Sequence, residues 1–162
     1  VGKKGDKPAA PREGPRIVNR RARHEYFIVE VVECGLALVG TEVKSLRAGQ
    51  AKIDEAHARV RDGEVWLVGA NIALYPQAAP AMQHEPTRDR KLLLHRRQVR
   101  AIEAHVKQKG KTVVPLAVYF KRGWAKCELG IAEGKASFDK RQGLKKRDQQ
   151  REIEREMRRR RR

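Results

Sequence analysis

Between Ile17 and Ile131 the chain alternates short β-branched or aromatic runs with turn residues, a punctuation that predicts strands over much of its length. Tyr26-Phe27-Ile28-Val29-Glu30-Val31-Val32-Glu33 is one such run. It stops at Gly35 and resumes as Leu36-Ala37-Leu38-Val39, which reads as one long strand bent or bulged at Gly35. Ala58-Arg59-Val60 and Val65-Trp66-Leu67-Val68 flank Arg61-Asp62-Gly63-Glu64. An Asp-Gly pair in that setting predicts a two-residue type I′ hairpin, because both central positions must adopt positive φ. A second hairpin joins the run from Thr112 to Phe120 to the run from Trp124 to Ile131 through Lys121-Arg122-Gly123. Pro115 lacks an N–H and so puts its strand at an edge or a bulge. In the last strand, period-two alternation places Ala125, Cys127, Leu129 and Ile131 on one face and Trp124, Lys126 and Glu128 on the other.

Helical spacing is clearest from Arg90 to Lys109, where Leu92, Val99, Ile102 and Val106 recur and Gly110 stands at the stop. The other faces of that segment are basic, with Lys91, Arg96, Arg97, Arg100 and Lys107. A shorter helix spans Val43 to Leu46 and onward, or else follows Gly49. Several short strands with segregated helices predict a mainly β, α+β fold, in which a small closed barrel is one way to remove exposed edges. Residues 1–16 are rich in Gly, Pro and charge, and beyond about residue 138 the only large aliphatic residues are Leu144, Ile153 and Met157. Neither end buries enough apolar surface to offset its ordering entropy. The expected organisation is a flexible lead at 1–16, a core at 17–138 and a basic tail at 139–162.

Charge narrows the class of partner. The 38 Lys+Arg against 20 Asp+Glu leave a formal charge of +18, a field that works against the compact state and calls for a polyanion. Nucleic acid fits first, bound with a steep salt dependence. An anionic membrane fits less well: no apolar run approaches the roughly 18 residues of a spanning helix, and the tail has no bulky apolar stripe. The segment from Val1 to Arg16 lacks the apolar stretch of a signal peptide. A cytoplasmic location is therefore expected, with Cys34 and Cys127 as reduced small core residues rather than a disulfide.

Catalytic readings fail one at a time. Gly35-x4-Gly40 is followed by Thr41 where a phosphate-binding loop needs Lys, and Gly130-x3-Gly134-Lys135 is one residue short, with Ala136 in place of a hydroxyl. His24, His57, His84, His95 and His105 lack metal-ligand spacing, and the two cysteines lie too far apart for a zinc knuckle. Ser45 has no assignable His-plus-acid partner, and carboxylates such as Glu33 and Glu42 read as partners of the many arginines. The expectation is no enzyme, no metal and no cofactor.

Three blocks carry a resemblance: Asn19-Arg20-Arg21-Ala22-Arg23-His24-Glu25-Tyr26-Phe27-Ile28, Glu33-Cys34-Gly35-Leu36-Ala37-Leu38, and Gly40-Thr41-Glu42-Val43-Lys44-Ser45-Leu46-Arg47-Ala48-Gly49. The match continues through Arg88-Asp89-Arg90-Lys91-Leu92-Leu93-Leu94-His95, Lys109-Gly110, Val114-Pro115-Leu116, Tyr119-Phe120 and Gly134-Lys135 to Asp139-Lys140-Arg141, in order over about residues 17–150. Together they resemble the small protein B family, the bacterial tmRNA-binding (SsrA-binding) proteins of trans-translation. The resemblance implies an OB-like closed antiparallel β-barrel with about three flanking helices. It also implies a monomer that binds the tRNA-like domain of tmRNA, standing in for the missing anticodon arm, and enters stalled ribosomes with it. There the C-terminal tail would occupy the empty mRNA path, against small-subunit RNA near the decoding centre. Alanyl-tmRNA would arrive with elongation factor Tu, and translation would switch to a degradation tag. A generic OB-fold RNA chaperone or ribosome-associated protein, and an RNA-processing enzyme, are the rival readings.

Carried over position by position, the family's RNA contacts fall on Glu33, Leu93 and Lys126, with Asn19, Arg20, Arg21 and Lys44 as polar and basic neighbours. Lys126 sits beside Trp124 on the outward strand face, where a cation can meet phosphate and an indole can stack on a base; the plain alternative is a solvated strand lysine. Glu33 repels phosphate, so it would accept from a base amino group or a 2′-OH, or orient an arginine, unless it is an ordinary surface carboxylate. Leu93 lies off the Leu92, Val99, Ile102 stripe and would cover a sugar or base, unless it is early-helix packing. In the tail, Lys135, Phe138, Asp139, Lys140, Arg141, Lys145, Lys146, Arg147, Arg151 and Arg155 are the implied ribosome contacts. From Asp139 to Arg162 there are 12 Lys+Arg against 5 Asp+Glu. Asp148 with Arg151, Glu152 with Arg155, Glu154 with Arg158 and Glu156 with Arg160 are spaced to pair on a helix, each worth about a few tenths of a kcal/mol. That is too little to hold an isolated helix, so the tail is expected to be disordered when free and helical along ribosomal RNA, or else a nonspecific solubilising arm. Ala136-Ser137-Phe138 departs from a more basic approach containing Tyr or His, and Cys34 stands where Ala is usual. Phe138 can still stack but cannot hydrogen-bond.

Overall fold

The computed structural model describes residues 14–160. The elements, in order, are β1 (Ile17–Val18), α1 (Ala22–Glu25), β2 (Tyr26–Leu36), α2 (Gly40–Arg47), β3 (Ala51–Lys52), β4 (His57–Arg61), β5 (Glu64–Val68), β6 (Asn71–Ile72), β7 (Arg90–Leu93), α3 (Arg96–Val106), β8 (Lys111–Lys121), β9 (Trp124–Gly134) and α4 (Lys135–Arg160). Of the lead expected at 1–16, residues 1–13 lie outside the described residues. Gly14 and Pro15 pack on the end of α2, where a Cβ on Gly14 would come within 3.2 Å of the Arg47 backbone.

Seven strands form one antiparallel sheet in the order β1-β8-β9-β2-β7-β5-β4, while β3 and β6 pair separately. The fold is thus mainly β with four helices, but the expected closed barrel is not what the ladder forms. The order has two ends, β1 and β4, so among the described residues the sheet is curled and open. β4 does come to lie against β8, and α3 packs on both strands there, sending Ile102 into the core.

Both hairpins form where turn chemistry placed them. Asp62 and Gly63 take φ of 50° and 72°, and Arg122 and Gly123 take 53° and 79°. Each pair is a two-residue loop, closed by Arg61 opposite Glu64 and by Lys121 opposite Trp124. Pro115 falls at a register shift between itself and Ala117, as its missing N–H demands.

Two other expectations are corrected. β2 is not bent at Gly35; its irregularity lies at Val29, between Ile28 and Glu30. Gly35 is small for a lateral reason: a Cβ there would approach that of Leu93, its partner on β7, to 3.1 Å. Nor does a helix run from Arg90. Arg90–Leu93 is a strand, and helix begins only at Arg96. The Leu92-Leu93-Leu94 run fits either period, and strand partners on both sides capture it: Leu92 faces Val65 on β5 and Leu36 on β2. Leu92 is accordingly buried at 2% exposure and Leu93 exposed at 53%. Of the two placements for the shorter helix, the first forms, as α2, and Gly49 stops it at φ 74°.

The core gathers Leu36, Leu46, Leu67, Leu92, Ile102, Val113 and Leu129, with Cys34 and Cys127 among them as buried free thiols. A charged cluster ties α2 to β7. Glu42 and Arg90 are both fully buried. The Glu42 carboxylate accepts from Arg90 Nε at 2.8 Å, from Arg88 Nε and Nη2 at 2.7 and 2.6 Å, and from the Val39 backbone N–H at 2.9 Å. Arg90 gives its other N–H groups to the carbonyls of Ala70 and Pro86, each at 2.8 Å. Burial pushes the Glu42 carboxyl up, but the Arg88 and Val39 hydrogen bonds and the Arg90 charge outweigh it and hold it below the usual carboxylate range.

α4 follows β9 directly and takes in the described part of the tail expected at 139–162. Neither Asp148 with Arg151 nor Glu152 with Arg155 closes an ion pair among the described residues. The Arg158 and Arg160 side chains lie outside the described residues, as do residues 161–162.

Removing one partner of a buried ion pair typically costs about 3–5 kcal/mol. Arg90→Ala should therefore lower unfolding free energy by about that much in urea titrations at neutral pH. Because the folded Glu42 carboxyl sits below its unfolded value, its stabilisation is complete above the unfolded value and fades as pH falls through the folded one. The penalty should shrink over that acid window, and an equal penalty at neutral and acid pH would show that the ion pair is not what Arg90 supplies.

Candidate RNA interface

The outward row begins on β9, where alternation turns Lys126 away from buried Cys127. Register then carries that row across the sheet. Lys126 faces Gly35 on β2 and Tyr119 on β8, and Gly35 faces Leu93 on β7. Leu93, Gly35, Lys126 and Tyr119 thus form one line across four strands, neighbouring strands being about 4.8 Å apart. Two pairs further along, on the same face, Glu33 faces Glu128; at the other side Trp124, 73% exposed, closes the hairpin opposite Lys121. Glu33, Leu93 and Lys126 line a single open groove, together with Gly35, Lys91, His95, Arg96 and Gln98.

Glu33 does not stand free on this face. The Tyr119 hydroxyl donates to its carboxylate, and Lys121 Nζ lies 3.2 and 3.3 Å from its two oxygens. Arg16 stacks over the Tyr119 ring, 4.6 Å from its centroid, and donates to Glu128 at 2.5 Å. The Tyr119 hydrogen bond and then Lys121 hold the Glu33 carboxyl below its usual range, while burial and Glu33 push the Tyr119 phenol up. Glu33 is therefore ionised at neutral pH, with spare lone pairs for a donor. Lys126 makes no salt bridge among the described residues, so its charge remains available to phosphate.

The remaining sequence candidates do not join this groove. Asn19 is buried at 3% exposure and its side chain is fully committed. Its Oδ1 accepts from the Arg21 and Ala22 backbone N–H groups at 3.1 and 3.0 Å, and its Nδ2 donates to the carbonyls of Ile53 and Pro115 at 3.1 and 3.0 Å. Those bonds cap the turn that leads into α1, and both polar atoms of the Asn19 side chain have their partners within the fold. Arg20 is exposed beside it, while Arg21 pairs with Glu25 at 2.9 Å. Lys44 lies on α2 with its ammonium 5.2 Å from the Tyr75 ring centroid. Along α4, Lys135, Asp139, Lys145, Lys146, Arg147, Arg151 and Arg155 are exposed, while the side chains of Phe138, Lys140 and Arg141 lie outside the described residues.

Sequence reasoning missed Gly35, Tyr119, Lys121 and Arg16. Alternation alone sets Tyr119 outward on β8, but its neighbours Glu33 and Lys126 follow only from the register of three strands.

Comparison with known proteins bears on the whole chain. A family model described as SmpB protein matches residues 16–159. An SsrA-binding protein of Synechococcus sp. (strain JA-2-3B'a(2-13)) is 53% identical over 141 residues, covering 87% of this chain and 92% of that relative. The SsrA-binding protein of Salinispora tropica is 53% identical over 148 residues, covering 90% and 92%. A solved structure described as "tmRNA-SmpB: a journey to the center of the bacterial ribosome" is similar at 50% identity and a TM-score of 0.63, covering 75% of this chain and 85% of that one.

Asn19→Ala strands two backbone donors and two carbonyls, each unmet buried group costing about 1–3 kcal/mol. A loss of about 2–4 kcal/mol in urea unfolding is expected. A change below about 0.5 kcal/mol, within the range of ordinary surface substitutions, would contradict the capping role.

Proposed function

Since the chain belongs to the SmpB protein family, we propose that it binds the tRNA-like domain of tmRNA, the SsrA RNA, and takes it to stalled ribosomes for trans-translation. One observation carries the reading at residue level: Lys126 and Leu93 flank Gly35 in a single row, with ionised Glu33 beside them. Lys126 meets a phosphate. Leu93 and the bare backbone at Gly35 offer a flat apolar strip for a ribose or base, and Trp124 is exposed for stacking. Glu33 repels phosphate and accepts from a 2′-OH or a base amino group, which gives the site a preference that charge alone lacks. A carboxylate kept in the middle of a face on a chain of charge +18 argues against a generic RNA chaperone.

The tail serves a second RNA. Arg20, Arg21 and Lys44 add basic contacts away from the groove, and α4 carries Lys145, Lys146, Arg147, Arg151 and Arg155 along its exposed length. Helical along small-subunit RNA, α4 occupies the empty mRNA path near the decoding centre. Phe138, Lys140 and Arg141, near the start of the tail, belong to the same set of ribosome contacts; a phenylalanine offers RNA stacking but no hydrogen bond. The protein acts as a cytoplasmic monomer, arrives with elongation factor Tu on alanyl-tmRNA, and turns over no substrate. No helix among the described residues is long and apolar enough to cross a membrane.

Lys126→Ala should weaken binding of the tRNA-like domain about tenfold, or 1.4 kcal/mol, and reduce the log–log salt slope by about one. Unchanged affinity and slope would remove Lys126 from the interface. Truncation after Arg141 should leave that binding largely intact and abolish tagging on stalled ribosomes, whereas tagging by the truncated chain would reduce the tail to a nonspecific arm.

A further inference from the structure

We infer that Tyr119 is a positioning residue for RNA recognition: it holds the Glu33 carboxylate in one geometry, as an acceptor for a donor group of the bound RNA. The inference rests on the reading of Glu33 as an RNA contact and extends it to a residue which that reading does not include. Glu33 is an exposed strand glutamate, and such a side chain is free to sample many rotamers unless a neighbour holds it. Tyr119 removes much of that freedom. Its hydroxyl donates to the Glu33 carboxylate, it has only two side-chain torsions, and its ring is pressed under the Arg16 guanidinium at 4.6 Å. Arg16 is itself fixed by Glu128 at 2.5 Å, and Glu128 is the strand partner of Glu33.

The surroundings are complete on each side of the carboxylate. From β8 come Tyr119 and Lys121, from β9 Lys126 and Glu128, and from the segment before β1 Arg16. Lys121 brackets both carboxylate oxygens from one side. A carboxylate selects donors over acceptors only while ionised, and a preorganised one loses less entropy on binding. Tyr119 supplies that preorganisation without touching the RNA, and it extends the ionised range of Glu33 toward lower pH.

The chemistry predicts a distinctive pH response. Glu33 accepts while ionised, so binding that depends on it is complete above its folded titration point and is lost as pH falls through that point. Removing the Tyr119 hydroxyl raises the titration point toward the ordinary glutamate range, and the acid limb of binding should move to higher pH. The test uses full-length protein and the tRNA-like domain of tmRNA as probe, with Tyr119→Phe, Glu33→Gln and the double variant. Dissociation constants are measured from neutral to acid pH at one salt concentration, and the Glu33 carboxyl is titrated by carbon-13 NMR. Tyr119→Phe should weaken binding by about three- to tenfold at neutral pH, shift the acid limb and the carboxyl titration upward, and have no further effect in the Glu33→Gln background. Lys121→Met, which leaves the ring in place, should move the carboxyl titration in the same direction. If Glu33→Gln weakens binding but Tyr119→Phe changes neither affinity nor acid limb, the positioning role is overturned while the Glu33 contact stands. If Glu33→Gln itself leaves binding unchanged, the contact is overturned and the inference with it.

Discussion

Cys34 lies opposite Cys127, and Gly35 opposite Lys126, because beyond the irregularity at Val29 β2 and β9 pair in one register from Glu30 and Ile131 to Gly35 and Lys126. Side chains alternate with a period of two, so a one-residue slip would turn Glu33 into the core and push a buried thiol onto the outward face. The core resists that slip: Cys34, Cys127 and Leu129 are each at 3% exposure or less. Beyond Cys34 the rest of the sheet is hung from this pair. β8 joins β9 along its full length, and β7 joins β2 only at Gly35 and Leu36, the positions that bring Leu93 beside Lys126. The row of Leu93, Gly35, Lys126 and Tyr119 is therefore a by-product of core packing. Its geometry is as rigid as the register beneath it.

Charge is arranged in two quite different ways on this scaffold. Inside, Glu42 is paired with both Arg88 and Arg90, so α2 and β7 are locked together by groups that would be costly to separate. On the outward face, Glu33, Tyr119, Lys121, Arg16 and Glu128 are linked but accessible. Exposed pairs contribute little to stability, so their value lies in orientation. A chain of formal charge +18 would bind any RNA to some degree. In the proposed reading, what turns that attraction into recognition is a small neutral and acidic island: Leu93, bare Gly35 and Glu33 beside Lys126.

How much of this was legible in the sequence depended on whether a feature was local. The Asp62-Gly63 turn was legible because type I′ geometry demands residues that tolerate positive φ, and the outward face of β9 because alternation is a local property. Glu42 as an arginine partner also held, though burial of the pair came from the fold. Leu92-Leu93-Leu94 misled, since a short apolar run satisfies both periods and only its neighbours β5 and β2 decide. Gly35 misled for the same reason: its smallness answers Leu93, a residue far along the chain. Asn19 was placed at the RNA by resemblance, yet it stands just ahead of a four-residue helix that needs a cap. The curled sheet in place of a closed barrel, and Tyr119 behind Glu33, both depend on long-range pairing that no local pattern encodes.

Recognition rather than charge is the claim most open to direct attack, and competition binding addresses it at one near-physiological salt concentration. Labelled tRNA-like domain of tmRNA is displaced from the full-length protein by unlabelled tRNA and by an unrelated hairpin of equal length. The arrangement described here predicts a preference for the tRNA-like domain of at least about tenfold, or 1.4 kcal/mol. Equal displacement by all three RNAs would mean that the basic field does the binding and that the Leu93, Gly35, Glu33 and Lys126 row reads nothing.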